Sequence, residues 1–119
     1  MAAATSALAK KAKDTLILDL RGLVVFTDYF VICSGESTTQ VKAIAEHIEA
    51  EFMKNSLKPL SIEGSSYAHW ILIDYGDVVV HVFQNETRDY YELEKLWLDA
   101  PRIPLERENT SLTGERYHF

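Results

Sequence analysis

The chain is poor in cysteine, proline and glycine, and it lacks a long apolar run. It has one cysteine, three prolines and five glycines among 119 residues. A single cysteine cannot form an internal disulfide, which excludes a disulfide-stapled secreted scaffold and fits a reducing compartment. No stretch approaches the roughly 20 apolar residues of a membrane span, and the start has no apolar signal segment. We therefore expect a cytoplasmic protein that does not associate with membranes.

Basic charge is also scarce. The chain carries 12 Lys and Arg against 18 Asp and Glu, for a net charge of −6. Binding to phosphate backbones depends on clustered lysine and arginine, and the basic residues here are scattered. Direct sequence-specific binding of nucleic acid is therefore disfavoured, and long-range attraction favours a basic partner surface instead.

Signs of a metal or cofactor site are missing as well. No pair of histidines or cysteines has the spacing of metal ligands, so we predict neither a metal nor a cofactor. His81 alternates along its strand with Val79 and Phe83, which is typical of a core histidine. Cys33 lies in an apolar run, which favours an inert buried thiol over a nucleophile.

The apolar pattern predicts an α/β (α+β) fold, with a mixed sheet of about five strands and helices packed on it. Residues 1–103 form the predicted domain, and residues 104–119 the predicted flexible tail. The expected order is α-β-β-α-β-β-β-α. Strands are expected at 16–20, 29–33, 60–63, 70–75 and 78–83, and helices at 5–13, from Ser37 to before Leu57, and from about Asn85 to about Leu98.

The helix caps are also predicted. Ser37 and Gln40 have capping-box spacing, which we favour over a phosphate cradle, and an apolar stripe at spacings of three and four follows them. That stripe consists of Val41, Ile44, Ala45, Ile48 and Phe52. For the last helix, Asn85 or Thr87 is the expected cap, with Asp89 in the first turn.

Nucleotidyl transfer is the enzymatic activity that the acidic residues most suggest. Such enzymes place two carboxylates at i and i+2 on one strand, where both reach the same metal ions. Asp74 and Asp77 are three apart and straddle Gly76, so they do not stack on one strand face. Such catalysis is therefore disfavoured. The two aspartates either fix a tight glycine turn or contact a partner, and both roles are compatible.

Aromatic residues are the strongest candidates for partner binding. Tyr90 and Tyr91 are adjacent on a predicted helix and point about 100° apart, so at least one is expected to be exposed. Trp70 follows a polar loop, and the sequence leaves its role open between interface and core. Trp97 is favoured as a core residue with its leucine neighbours. Exposed tryptophan and tyrosine are typical anchors of protein interfaces.

The order of short motifs resembles the Iojap-like family, the bacterial ribosomal silencing factors. The resemblance covers about residues 11–101, and its densest part runs from Trp70 to Asp77 and from Val80 to Phe83. Other matching segments are LDLRG at Leu18–Gly22, DYFVICSG at Asp28–Gly35, the helix from Ser37 to Ala45, Arg88, YELE at Tyr91–Glu94 and Leu96-Trp97.

The resemblance implies a non-catalytic factor that binds the large ribosomal subunit through ribosomal protein L-fourteen. Such a factor sterically prevents the small subunit from joining and lowers translation when nutrients are scarce. The family fold is similar to nucleotidyltransferases without their catalytic carboxylates, and members tend to form homodimers off the ribosome. We expect Trp70, Tyr90 and Tyr91 to anchor the partner, with Asp74 and Asp77 as rim or turn carboxylates.

Two alternatives remain open. A divergent nucleotidyltransferase-like enzyme predicts a thermal shift with a nucleotide and Mg²⁺ that is lost in Asp74→Asn. A homodimeric scaffold predicts that Trp70→Ala yields monomers and that ribosome binding is never detected.

Overall fold

The computed structural model describes residues 12–93, 95 and 100–104. Most of the predicted first helix, Trp97 with the predicted end of the last helix, and residues 105–119 of the predicted tail lie outside the described residues. Lys13, which we expected to end the first helix, already belongs to the first strand. Neither helix within these ranges is long and apolar enough to cross a membrane.

A six-stranded mixed sheet with two helices packed on it forms the described structure. Its strand order is β3-β4-β5-β2-β1-β6. The strands are β1 (Lys13–Asp19), β2 (Tyr29–Gly35), β3 (Ser61–Glu63), β4 (Trp70–Asp74), β5 (Val78–Gln84) and β6 (Arg102–Ile103), and the helices are α1 (Thr38–Met53) and α2 (Asn85–Tyr91). The α+β class is confirmed, whereas the expected five strands are one too few. The missed strand, β6, has only two residues and is defined by pairing with β1.

Strand β2 lies at the centre of the sheet, as its apolar run predicts. It pairs in parallel with β5 and antiparallel with β1, and all seven of its residues are buried. Strands buried on both faces carry continuous apolar runs because neither face meets water. The predicted hairpin is also confirmed, since β4 and β5 pair antiparallel around Gly76, whose φ is +88°.

Helix α1 covers one face of the sheet. Its buried residues are the five predicted ones: Val41, Ile44, Ala45, Ile48 and Phe52. Ser37 is the N-cap, and its hydroxyl accepts the Gln40 N–H at 3.1 Å. The Gln40 side chain accepts the N–H of Glu36 at 2.6 Å.

Helix α2 begins at Asn85, as predicted, but its cap and its end differ from the prediction. It begins at Asn85 without a loop, and its N-cap is Gln84, which makes no side-chain cap bond. The expected caps Asn85 and Thr87 are therefore wrong, because β5 continues pairing through Gln84 and leaves no linker. Glu86, not Asp89, is the acidic residue of the first turn. The helix ends at Tyr91, because Glu92 takes a left-handed conformation with φ +48°.

The second face of the sheet carries a separate core. Its buried members are Leu18, Leu20, Phe30, Ile32, Val79, Phe83 and Ala100. Trp70 and Leu72 of β4 pack at the edge of this core and are only partly buried. Helix α2 packs over β5 and β2 on this side. The second face is therefore only partly covered at β4 and β3.

Candidate functional site

Trp70 lies at the junction of the sheet and α2. Its ring stacks on Phe83 with centroids 4.7 Å apart and lies 5.1 Å from the ring of Tyr91. Its indole N–H donates to Nδ1 of His81 at 3.1 Å. Trp70 remains half-buried. One part of the ring thus packs on the core and the rest is accessible, and the interface role of Trp70 stays a prediction.

His81 is buried and accepts the hydrogen bond of the Trp70 indole N–H. The side chain lies on the second face with Phe83, as alternation predicts, and the residue is 3% exposed. Because Nδ1 accepts the indole N–H, the neutral ring carries its proton on Nε2. That Nε2 has no hydrogen-bond partner among the described residues. Burial lowers the pKa of His81 to about 4, so the ring is neutral at physiological pH.

The buried imidazole makes stability depend on pH. The pKa of His81 is about 4 in the folded chain against 6.5 for the free group. The unfolded chain thus binds more protons between these values, and stability falls as pH drops from 6.5 towards 4. We expect a loss of about 3 kcal/mol across this window. Urea unfolding at stepped pH measures it.

A substitution separates this effect from other titrations. In His81→Phe the decline between pH 6.5 and 4 should become much shallower, whereas His69→Phe, at an exposed histidine, should keep it. Equal slopes in wild type and His81→Phe would contradict the assignment.

Tyr90 and Tyr91 extend the accessible aromatic area. Tyr90 is 81% exposed and Tyr91 is 55% exposed, so both of the tyrosines project from α2. Their rings meet edge to face with centroids 5.0 Å apart, and Tyr91 also contacts Trp70. The structure thus brings three of the predicted partner-binding residues together. We call Trp70, Tyr90 and Tyr91 the aromatic surface.

The two predicted carboxylates lie apart from the aromatic surface. Asp74 ends β4, four residues beyond Trp70, which is about 13 Å along an extended strand. Its Oδ1 accepts the N–H of Gly76 at 2.8 Å, as the turn interpretation predicts. Asp77 is exposed, and its backbone carbonyl accepts the N–H groups of Asp28 and Tyr29. No group of three or more histidine, cysteine or acidic residues in the described ranges is arranged to hold a metal ion.

A small cleft adjoins the aromatic surface. Trp70, Leu72 and Glu63 line this cleft, whose volume is about 240 Å³. The pairing of β3 with β4 sets Glu63 opposite Leu72, and strand alternation sets Leu72 on the same face as Trp70. Neither Glu63 nor Leu72 was among the predicted site residues. Strand alternation with Trp70 was a signal that could have indicated Leu72, whereas the position of Glu63 depends on a pairing register that no local pattern reveals.

Arg88 fastens α2 to the sheet, a role that the sequence did not reveal. It is 8% exposed, and its Nη1 donates to the carbonyl of Asp14 at 2.7 Å and to the hydroxyl of Ser34 at 2.8 Å. These bonds join the helix to β1 and β2. Because Tyr90 and Tyr91 follow on the same helix, Arg88 helps to position the aromatic surface.

Removing this side chain should destabilise the fold. Arg88→Ala leaves a buried hydroxyl and a carbonyl without their charged donor, and each such loss costs about 1–3 kcal/mol. We expect a total loss of about 3 kcal/mol in urea unfolding. Arg102→Ala, at an exposed arginine of β6, should change stability by less than about 0.5 kcal/mol. Similar losses in both variants would show that the hydrogen bonds of Arg88 to Asp14 and Ser34 do not stabilise the fold.

Comparisons with known proteins identify the family. The family model described as "Ribosomal silencing factor during starvation" matches residues 1–119, beyond the expected 11–101. The chain is 48% identical over 97 residues to ribosomal silencing factor RsfS of Bacillus subtilis, covering 82% of each chain. It is 36% identical over 91 residues to mouse "Mitochondrial assembly of ribosomal large subunit protein 1", covering 74% of this chain and 40% of that one.

A solved structure agrees with the described fold. The crystal structure of a Bacillus halodurans protein superposes with a TM-score of 0.78 at 40% identity, covering 87% of this chain and 94% of that one. Sequence, family model and structure thus point to the same group of proteins. The resemblance noted from the motifs is confirmed, and the chain belongs to the family of ribosomal silencing factors.

Proposed function

We propose that this protein is a ribosomal silencing factor that binds the large ribosomal subunit through ribosomal protein L-fourteen. Once bound, it sterically blocks association with the small subunit and so represses translation under nutrient limitation. The observation that carries this proposal is the accessible aromatic surface in a chain of this family. We place this action in the cytoplasm.

The aromatic surface suits a binding role. Hot spots of protein interfaces are enriched in tryptophan and tyrosine that sit on a rigid, well-packed base. Trp70 is held by Phe83 and His81 and is flanked by Tyr91. An interface of ordinary size, about 1,600 Å² in total, reaches nanomolar affinity when such anchors are well placed. Steric exclusion then requires no chemistry.

The partner is expected to present basic charge. The net charge of −6 attracts basic protein surfaces and speeds their encounter. The mouse relative is named for assembly of the large ribosomal subunit, which supports a large-subunit partner here. We assign no catalysis to Asp74 and Asp77, since Asp74 is engaged in the Gly76 turn and Asp77 lies beyond it.

Off the ribosome, we propose that the protein forms a homodimer. Apolar side chains on and beside the edge strand β3 support self-association, because Leu60 is 74% exposed and Ile62 is 38% exposed. Sedimentation velocity across a concentration series measures the monomer–dimer equilibrium. A chain that stays monomeric at high micromolar concentration would exclude the dimer.

Sedimentation with isolated large subunits tests the main proposal. We expect the protein to co-sediment at low salt and to dissociate progressively as salt rises, since charge contributes to binding. Added small subunits should then fail to form complete ribosomes, as light scattering reports. If the protein does not co-sediment at low salt, or binds without inhibiting joining, the proposed function is wrong.

A further inference from the structure

We propose that the cleft formed by Glu63, Trp70 and Leu72 receives a lysine or arginine side chain from the protein partner. The inference deepens the proposed function, because it specifies the chemistry by which the ribosomal partner is recognised. It rests on the geometry of the cleft, on the charge at its rim and on the hydrogen bonding of Trp70.

The walls of the cleft match a long basic side chain. Trp70 and Leu72 offer apolar surface on one face of β4, and the cleft volume is about 240 Å³. Lysine and arginine carry apolar stems that pack along such surfaces while the charged end stays near water. A cation held near the face of an indole ring is also attracted by its quadrupole.

The rim of the cleft carries an exposed carboxylate. Glu63 is exposed at the sheet edge, and its side chain makes no ion pair or hydrogen bond within the described part of the chain. By contrast, Glu36 pairs with Lys13 and Asp19 pairs with Arg21. Glu63 is therefore available to pair with a cation from outside.

The hydrogen bonding of Trp70 argues against an anionic occupant. An indole has one donor, its Nε1–H, and this group already donates to His81 at 3.1 Å. The cleft thus presents a ring surface and a carboxylate but no free indole donor. A phosphate or acidic side chain would be repelled by Glu63, and a purely apolar side chain would gain no attraction from its charge.

Two charge-neutralising variants form the first test. Glu63→Gln should weaken binding to isolated large subunits by about tenfold and should reduce the salt dependence of binding. Glu46→Gln is the matched control, because Glu46 is an exposed glutamate on α1, which packs on the opposite face of the sheet. It removes the same charge and should alter affinity less than about twofold. Equal effects of the two variants would overturn the proposal.

A small probe tests the cleft without the ribosome. N-acetyl-arginine methylamide at millimolar concentration should shift the indole N–H resonance of Trp70, assigned by its loss in Trp70→Phe, and the neutral citrulline analogue should not. The arginine shift should disappear in Glu63→Gln and persist in Glu46→Gln.

The two assays separate the cleft from the proposed function. If wild type fails to bind subunits but shows the Glu63-dependent shift, the proposed function falls and the cleft assignment stands. If subunits bind but the arginine probe produces no Glu63-dependent shift, the cleft assignment is wrong and the silencing role stands. If neither assay shows binding, both are wrong.

Discussion

Trp70→Ala is expected to weaken binding to isolated large subunits by at least about a hundredfold, the size of a strong interface hot spot. The change removes the central ring of the aromatic surface and the apolar wall of the adjoining cleft. It also removes the support of Tyr91, whose ring lies 5.1 Å from that of Trp70. Sedimentation across a protein concentration series measures the loss.

Stability must be measured alongside binding. Trp70 packs on Phe83 and bonds His81, so truncation to alanine should also lower the free energy of unfolding by about 3 kcal/mol. Circular dichroism and urea unfolding establish whether the variant is folded under the binding conditions. Trp70→Phe keeps a ring and should lose far less of both.

A matched aromatic control makes the Trp70 result specific. Tyr67 is 81% exposed, the same fraction as Tyr90, and makes no ring contact within the described residues. Tyr67→Ala should leave affinity nearly unchanged, whereas Tyr90→Ala should weaken it by about tenfold. A folded Trp70→Ala that binds as tightly as Tyr67→Ala would eliminate the aromatic surface as the contact.

Although Gly64→Ala adds only a methyl group, we expect it to cause the largest loss of stability. Gly64 has φ +85°, and a Cβ built there lies 2.0 Å from the carbonyl oxygen of Trp70. That contact involves backbone, so β3, the following loop or the start of β4 has to move. We expect a loss of at least about 3 kcal/mol, because steric overlap adds to the strain of a left-handed alanine.

Gly22→Ala separates the overlap from the backbone strain. Gly22 has nearly the same φ, +82°, but its added Cβ meets no atom within 4 Å. This variant should lose only about 1 kcal/mol, the typical cost of forcing alanine into that conformation. Urea unfolding of the two variants compares them directly. Equal losses would show that the approach of Gly64 to Trp70 is unimportant.

The position of Gly64 also links stability to binding. The glycine lies one residue after Glu63 and against the backbone of Trp70, which are two of the three residues that line the cleft. We therefore expect Gly64→Ala to weaken binding to large subunits even where it remains folded. The indole N–H resonance of Trp70 should shift in the free protein, reporting a displaced ring.

Local patterns in the sequence predicted those elements that depend on residues close together along the chain. The buried stripe of α1, the apolar run of β2 and the β4–β5 hairpin all match the structure. In each case, burial of one face or both faces imposes an apolar pattern that the sequence must show. The motif order was equally readable, and it led to the correct family.

Elements without such an apolar pattern were mispredicted or missed. Strand β6 has two residues and is defined by its pairing with β1. The cap of α2 was mispredicted because β5 passes into the helix without a loop, so the N-cap is Gln84 rather than Asn85 or Thr87. Its early end follows from the left-handed Glu92, a residue type that gives no local warning.

The same distinction between local patterns and tertiary contacts applies to the candidate site. The sequence by itself determined the acidic balance of charge and the spacing of Asp74 and Asp77, which is wrong for a metal pair, and it predicted aromatic partner-binding residues. Only the tertiary structure decided that Trp70 stands on His81 beside Tyr91, and that Glu63 faces Leu72. Those contacts join separate strands and a helix, so they depend on sheet register, which residues distant along the chain set together.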